Sequence, residues 1–302
     1  MIKKLFQIIV LFTILILTII HKNEIINFLM DITNKENEAM IFTKQNEYFT
    51  GKNYNSYKLV SKGVVKTLED ISNVIYTSLN YGYDEFFFYC EKEYSNCIRD
   101  VQEKYNDINY LSDFNNIIHP FNNYKKITTE IAGNKISVNI EKVYSNKQIL
   151  LINDEVNSII NKNINDNMND ETKIKVIHDY IINNTSYDQE RDLNSETNKY
   201  QSNNAYGTLF EHKAICGGYT DTMAIFLHKL GIENLKVASS THIWNYVKLK
   251  NEYLHLDLTW DDPINSKGTN MLTHDYFLIT TKQLKSKDIK EHNFNENFYS
   301  NL

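Results

Sequence analysis

The sequence lacks the motifs that mark several large classes of protein. It contains no glycine-rich phosphate loop, no Cys-x-x-Cys pair, no His-Glu-x-x-His motif and no visible internal repeat. Nucleotide binding and the common zinc sites are therefore without their usual sequence patterns. An acidic calcium-binding loop is missing as well, so we predict no cofactor, no metal and no calcium dependence.

The chain also has no net positive charge. The formal net charge is −6 at pH 7, and the pI is about 5.9. A chain without a basic field has little electrostatic attraction for a phosphate backbone, which argues against nucleic acid as a partner. What the chain does contain is 42% apolar residues over 302 positions, enough for the cores of one or two domains.

The amino terminus is typical of a membrane segment. Lys3 and Lys4 precede a largely apolar stretch at residues 5–20. As a helix this stretch is about 24 Å long, somewhat short of the bilayer core, so a cleaved signal peptide is an alternative, and a buried helix a weaker one. No small-x-small cleavage pattern follows, which favours an uncleaved signal anchor. The lysines place the start of the chain inside and the rest outside.

The three cysteines divide into a pair and a single residue. Cys90 and Cys97 are close in sequence, and an oxidising exterior permits a disulfide between them. Two reduced, partly buried thiols are an equal alternative. Cys216 stands alone more than a hundred residues later, and an odd thiol needs its own explanation.

Four segments follow one another along the chain. Residues 1–22 are the predicted signal anchor, and residues 23–55 are polar and poorly periodic, as in a spacer. Residues 56–147 form a predicted α+β accessory region whose role the sequence does not reveal. Residues 148–302 form the domain that contains the candidate chemistry.

Hydrophobic periodicity predicts the elements of the accessory region. Apolar residues recur at helical spacing within residues 63–79, and residues 85–90 resemble a buried strand. Alternation at residues 127–131 and 135–143, on either side of Gly133, predicts a β-hairpin.

The second region begins with two predicted helices. One lies near residues 148–164, and the other starts from a cap at Asn169 or Asp170. Residues 188–204 are polar and aperiodic, which predicts a long loop of the kind that often contacts substrate. Packing or surface positions are predicted for three histidines of this region: His178, His212 and His228.

Cys216 is predicted to begin a helix. Gly217 and Gly218 follow it, and apolar residues then recur at helical spacing until Gly231. The free N–H groups and positive dipole end of a helix favour a thiolate and are able to hold an oxyanion. A lone cysteine before a helix is more often a small buried hydrophobe, so its neighbours decide between the two interpretations.

Three predicted antiparallel strands follow this helix, at residues 235–239, 242–248 and 252–259. When a loop of two or four residues joins an antiparallel pair, the numbers of opposed residues sum to an odd value. His242 and Asp257 satisfy this rule, so they share one face of the hairpin, directly opposed or diagonal. A three-residue loop would separate them.

These residues supply the parts of a thiol enzyme. A cysteine needs a base nearby to become a thiolate, and an imidazole needs an acceptor that fixes its tautomer and steadies its charged form. Cys216, His242 and Asp257 fit these roles. His255 is an alternative base, although its position between leucines predicts a hydrogen-bonded wall residue.

Three ordered motifs then resemble those of the transglutaminase-like superfamily. They are Cys216-Gly217-Gly218-Tyr219, His242-Ile243-Trp244-Asn245 and Asp257-Leu258-Thr259-Trp260-Asp261-Asp262-Pro263. The flanking stretches 184–188 and 205–209 agree, so the resemblance covers roughly residues 170–280. One departure is a second glycine after the nucleophile, which leaves the three key residues in place.

The resemblance implies an α+β, papain-like core in which a nucleophile helix packs on an antiparallel sheet and carries a Cys-His-Asp triad. The implied catalytic residues are Cys216, His242 and Asp257. Substrate binding or oxyanion support is predicted for Tyr206, Gly217 and Trp244, with buried packing an equal alternative for the tryptophan.

The predicted function is that of an extracytoplasmic thiol enzyme acting on peptide or carboxamide bonds through a thioester. Water as acceptor makes it a protease or amidase, whereas an amine makes it a transglutaminase-type acyltransferase. The predicted partners are a protein or peptide substrate, such as a cell-wall or surface protein, and the membrane that holds the amino-terminal helix. If that helix is cleaved, the protein is secreted. The alternative is a non-catalytic cell-surface binding or scaffold module of the same fold.

Overall fold

The computed structural model describes residues 21–22, 39–194, 196, 199–263, 271–287 and 289–302. The predicted anchor at residues 5–20 lies outside these ranges, as does the first half of the predicted spacer. No helix within the described ranges is both long and apolar enough to span a membrane. The chain divides into two compact units, Met1–Met40 and Ile41–Leu302, and the second contains every element named below.

The first part of the larger unit combines a four-stranded sheet with three helices. Its elements are β1 (Val64–Val65), α1 (Leu68–Tyr81), β2 (Glu85–Cys90), α2 (Cys97–Asn106), α3 (Ile108–Ile117), β3 (Tyr124–Ala132) and β4 (Lys135–Lys142). The strands lie in the order β1-β2-β4-β3, with β1 parallel to β2 and the other pairs antiparallel. Thr67 and Asp70 form a capping box at the start of α1, and Gly82, at φ 78°, ends that helix.

The second part contains the remaining helices and two smaller sheets. Its elements are α4 (Asn146–Asn163), α5 (Asp170–Asn184), β5 (Ser186–Tyr187), α6 (Gln189–Leu193), β6 (Lys213–Ala214), α7 (Cys216–Lys229), β7 (Asn234–Ala238), β8 (Ile243–Leu249), β9 (Glu252–Leu256), α8 (Thr281–Ser286) and α9 (Glu296–Ser300). Strands β5 and β6 form a short parallel pair. Strands β7, β8 and β9 form an antiparallel sheet in chain order.

Helix α7 lies at the centre of this second part. Every residue from Gly218 to Leu227 is buried. Met223 and Phe226 belong to a core cluster that includes Ile177 of α5, Val247 of β8 and Leu256 of β9. Each fully buried apolar side chain of this size stabilises the fold by about 1.5–3 kcal/mol. The helix that begins at Cys216 is therefore fixed on several sides.

A buried charged network joins the two parts of the unit. Lys236 Nζ on β7 lies 2.8 Å from Asp221 Oδ1 on α7, and both side chains are buried. The Tyr144 hydroxyl donates to Asp221 Oδ2 at 2.8 Å and accepts from the Ala205 N–H at 2.9 Å. Tyr144 lies between β4 and α4, so the connection between the two parts packs directly against α7.

The predicted mixed α+β fold is confirmed. Strand β2 matches the predicted strand, and Asn169 caps α5 as predicted. Helices α2 and α3 were not predicted from the sequence; each is only ten residues long, and α2 buries only two of its residues. Phe42 and Tyr54, from the predicted spacer, are buried in the larger unit. The division into accessory and second regions stays a prediction.

The cysteine pair occupies a connection in the first part. Cys90 at the end of β2 and Cys97 at the start of α2 are joined by a disulfide. This is one of the two states that the sequence left open. Cys216 remains as a free thiol.

Candidate active site

Cys216 is the first residue of α7 and is half-buried. The N–H groups of Gly218 and Tyr219 bond to the Ile215 carbonyl, whereas helix geometry leaves the Cys216 and Gly217 N–H groups without an acceptor inside the helix. These two N–H groups are available to donate hydrogen bonds to an oxyanion that forms on a substrate next to Sγ. The predicted position of the thiol is thus reproduced.

Both glycines after Cys216 lie in tight contact with the preceding loop. A Cβ at Gly217 would collide with the side chain of Asn203, and a Cβ at Gly218 would collide with the Ser202 carbonyl. The loop before α7 therefore lies directly against the start of the helix. This contact explains why a second glycine follows the thiol.

His242 and Asp257 lie at adjacent strand ends, as the predicted hairpin register requires. Leu249 pairs with Glu252 across a two-residue loop, which makes His242 and Asp257 diagonal neighbours just beyond β8 and β9. His242 Nε2 donates to Asp257 Oδ2 at 2.6 Å. This bond leaves Nδ1 of the imidazole as the nitrogen available to Cys216, which is among the groups that raise the pKa of His242.

Electrostatics hold His242 in its charged form. Burial alone would lower the pKa of His242, but the charge of Asp257 and the hydrogen bonds to Asp257 and Cys216 raise that pKa to about 10. Burial would likewise raise the pKa of Asp257, yet the charges and hydrogen bonds of His242 and His292 hold it well below its ordinary value. At neutral pH the pair is therefore imidazolium and carboxylate.

A second histidine, not predicted from the sequence, binds the same carboxylate. His292 lies in a short 3₁₀ turn, Lys290–His292, and its Nε2 donates to Asp257 Oδ2 at 2.8 Å. Asp257 Oδ1 accepts from the Thr259 and Trp260 N–H groups at 3.0 and 3.3 Å. The carboxylate is therefore held through both oxygens by four donors.

A cavity of about 440 Å³ opens beside the thiol. Besides His242, the charged side chains among its described lining residues are all acidic: Asp192, Asp262 and Glu291. Burial raises the pKa of Asp262 to about 7, and the Tyr219 hydroxyl donates to its Oδ2. The other lining residues are Tyr187, Gln189, Cys216, Thr241, Thr259, Trp260 and Pro263. Gln189 and Asp192 of this lining lie on α6, so part of the stretch predicted as an irregular loop at residues 188–204 is helical and borders the cleft.

The remaining predicted site residues lie in different places. Gly217 adjoins the thiol, but Tyr206 packs on Phe210, with ring centroids 4.9 Å apart, away from the cleft lining. Trp244 is 1% exposed and lies beneath His242 rather than at the cleft surface.

Three further histidines are buried to differing degrees. His255 is buried and accepts from Trp244 Nε1 at 2.9 Å, and burial lowers its pKa to about 3, as expected for a wall residue. His228 was predicted at the surface but is half-buried, and its ring contacts that of His119 at a tilt of 36°, with centroids 4.5 Å apart. His178 is fully buried, in agreement with a packing role.

Two groups of side chains are close enough to share a metal ion: His242, Asp257 and His292, and His178, Asp179 and His274. In the first group Asp257 accepts from both histidines. In the second, Asp179 accepts from both histidines and from Lys175 at 2.6 Å, so an ammonium already supplies positive charge. Hydrogen bonds among the described residues therefore account for both groups.

Comparisons with known proteins find similarity to this chain in one sequence profile and in solved structures. The profile of the transglutaminase-like superfamily matches residues 158–258. No curated protein sequence matches the chain significantly. Among solved structures, one described as a TGase aligns with a TM-score of 0.36 at 15% identity, over 47% of this chain and 46% of that one. Another, described as a candidate cysteine protease from Cytophaga hutchinsonii, aligns with a TM-score of 0.29 at 13% identity, over 49% and 65%. The chain spans less than two thirds of each of these proteins.

Proposed function

We propose that this chain, whose residues 158–258 match the profile of the transglutaminase-like superfamily, is a thiol enzyme that acts on peptide or carboxamide bonds. The observation that carries the proposal is that a thiol at the start of a helix shares a cleft with a buried ion pair. Cys216 lines the same cleft as His242, whose other nitrogen lies 2.6 Å from Asp257. A structural cysteine would have no need of an imidazolium beside it.

The proposed reaction begins with a thiolate and an imidazolium. The Cys216 thiolate attacks the substrate carbonyl carbon, a C–S bond forms, and the carbonyl oxygen becomes an oxyanion held by the Cys216 and Gly217 N–H groups. His242 then gives its proton to the leaving nitrogen, and the C–N bond breaks. An amine departs and a thioester remains on Cys216.

The thioester is resolved by water or by an amine. His242, now neutral, takes a proton from the attacking group, and the C–S bond breaks to restore the thiolate and the imidazolium. Throughout, Asp257 keeps Nε2 protonated and steadies the charged ring. The same three residues serve both acceptors, so the proposal covers a protease or amidase and an acyltransferase alike.

Location and substrate are also proposals. The apolar run at residues 5–20 after two lysines supports an anchor with the enzyme outside the cytoplasm. The Cys90–Cys97 disulfide is consistent with an oxidising compartment. A protein or peptide of the cell surface is the substrate class that such a location would supply.

Labelling of the thiol tests the proposal directly. The folded protein is treated with iodoacetamide at pH 7, and the modification of Cys216 is followed by mass spectrometry. We expect labelling much faster than that of a free thiol, and a loss of this excess rate in His242→Ala. His212→Asn is the matched control, because His212 has φ 55° and asparagine tolerates that conformation. A Cys216 that reacts no faster than a free thiol, or equally fast without His242, would favour a non-catalytic module.

A further inference from the structure

We propose that His292 is a positioning residue that holds Asp257 in the plane required by His242, so that the carboxyl-terminal segment completes the active site. This inference rests on the proposed function, because it concerns the same three residues. His292 lies beyond the residues that match the superfamily profile, 158–258. The role of His292 is therefore inferred from the structure of this chain and not from the profile match.

The geometry divides one carboxylate oxygen between two imidazoles. Asp257 Oδ2 accepts from His242 Nε2 at 2.6 Å and from His292 Nε2 at 2.8 Å. The two rings are nearly perpendicular, with an interplanar angle of 81°. A carboxylate oxygen has two lone pairs in the carboxylate plane, and two donors that use both of them fix the orientation of that plane. A rotation of Asp257 toward either ring would weaken its bond to the other.

The His292 ring is itself held firmly. Its centroid lies 4.9 Å from that of Trp244 in an edge-on contact and 5.2 Å from that of Tyr276 in a stacked one. Trp260 adds a third contact at 5.5 Å. Because the ring is packed on three sides, it cannot move freely, and it therefore restrains the Asp257 carboxylate to which it donates.

The second nitrogen of His292 shows that packing alone does not explain this residue. Nδ1 is buried and has no hydrogen-bond partner among the described residues. An unpaired buried polar atom is unfavourable, and an apolar ring would fill the same space without it. The imidazole is therefore explained by its other nitrogen, the one that donates to Asp257.

The difference between the two ring nitrogens of His292 provides a matched pair of variants. The amide nitrogen of glutamine lies near the position of imidazole Nε2, whereas that of asparagine lies near Nδ1. His292→Gln therefore retains a donor to Asp257, and His292→Asn loses it while keeping the same chemical group. Both are compared with the full-length natural chain.

The experiment is iodoacetamide labelling of Cys216 across pH, together with thermal unfolding. In His292→Asn we expect labelling at pH 7 to slow by about tenfold, the usual effect of losing one hydrogen bond to a charged group. The acid limb of the pH profile should move upward by about one unit, because a poorly oriented Asp257 stabilises the imidazolium less and the thiolate with it. His292→Gln should retain both the natural labelling rate and the natural position of the acid limb. If the asparagine variant does not fold, His292→Leu replaces it.

The outcomes separate the inference from the proposed function. Fast labelling of the natural chain that both variants retain would overturn the role of His292 and leave the thiol enzyme intact. Equal slowing of both variants with an unmoved acid limb would show a purely structural residue and overturn it too. Slow labelling of the natural chain itself would overturn the proposed function and this inference together.

Discussion

Trp244 lies almost flat beneath His242, with ring centroids 5.6 Å apart and an interplanar angle of 19°. From the same position its Nε1 donates to His255 Nδ1 at 2.9 Å. One buried indole thus supports the proposed catalytic imidazole from below and satisfies a second, neutral histidine. A substrate in the cleft would not touch it.

This relationship predicts the effect of Trp244→Phe. The phenyl ring keeps an aromatic surface under His242 but leaves His255 Nδ1 as a buried acceptor without its donor. We expect the free energy of unfolding to fall by about 1–3 kcal/mol, measured by urea denaturation, with fast labelling of Cys216 retained. Tyr246→Phe on the same strand is the control, since it removes a hydroxyl from a half-buried ring. An unchanged stability would show that the indole N–H is dispensable.

The pKa values of His242 and His255 are expected to be shifted in opposite directions. The charge and hydrogen bond of Asp257 raise the pKa of His242 to about 10, whereas burial lowers that of His255 to about 3. In a proton NMR titration His242 should keep its imidazolium shift from pH 5 to near pH 10, while His255 stays neutral down to about pH 4. Because the folded pKa of His242 exceeds its unfolded value, its stabilising contribution is complete below about pH 6.5. That contribution is lost as the pH rises toward 10. A His242 midpoint near 6.5 would contradict the ion pair.

Asp257→Asn tests the carboxylate without changing its shape. An amide carries no negative charge to stabilise the imidazolium, and its nitrogen cannot accept a hydrogen bond. We expect labelling of Cys216 at pH 7 to slow by at least about tenfold, which corresponds to roughly 1.4 kcal/mol. Asp275→Asn, at an exposed position, is the control and should label at the natural rate. Equal rates in the two variants would remove Asp257 from the mechanism.

The buried ion pair of Lys236 and Asp221 should be essential for stability. Lys236→Met leaves the Asp221 carboxylate buried without its cation, which costs about 3–5 kcal/mol in comparable cases. Lys285→Met breaks an exposed pair with Glu296, whose lysine side chain is 59% exposed, and should change stability by less than about 1 kcal/mol. Urea denaturation of both variants gives the comparison. Similar losses would mean that the buried pair contributes no more than a surface one.

The disulfide should stabilise the first part of the unit without affecting the thiol. Cys90 and Cys97 are seven residues apart in sequence, and closing so short a loop is worth about 2 kcal/mol. The double variant Cys90→Ala, Cys97→Ala should lose this amount in urea denaturation and label at Cys216 normally. Dithiothreitol should destabilise the natural chain but not the double variant. A response of the double variant to the reductant would point to another cause.

Local sequence patterns predicted the parts of the site that depend on neighbours along the chain. The glycines after Cys216 and the helical spacing beyond them located the thiol at a helix start. A parity rule, which needs only a loop of even length, placed His242 and Asp257 on one face. His292 could not be predicted in this way, because it lies 35 residues beyond Asp257 in a short turn. Only the tertiary fold returns that turn to the strand end.

The contact of Tyr144 with Asp221 has a consequence for the history of this chain. The accessory region supplies a hydroxyl to a carboxylate on the helix that carries the thiol, so the two regions share one core. Exchange of the first region for a different one would remove the donor to Asp221 unless residues inside the second part changed as well. Relatives with a different amino-terminal region should therefore have lost the acidic residue at the position of Asp221 or gained another partner for it.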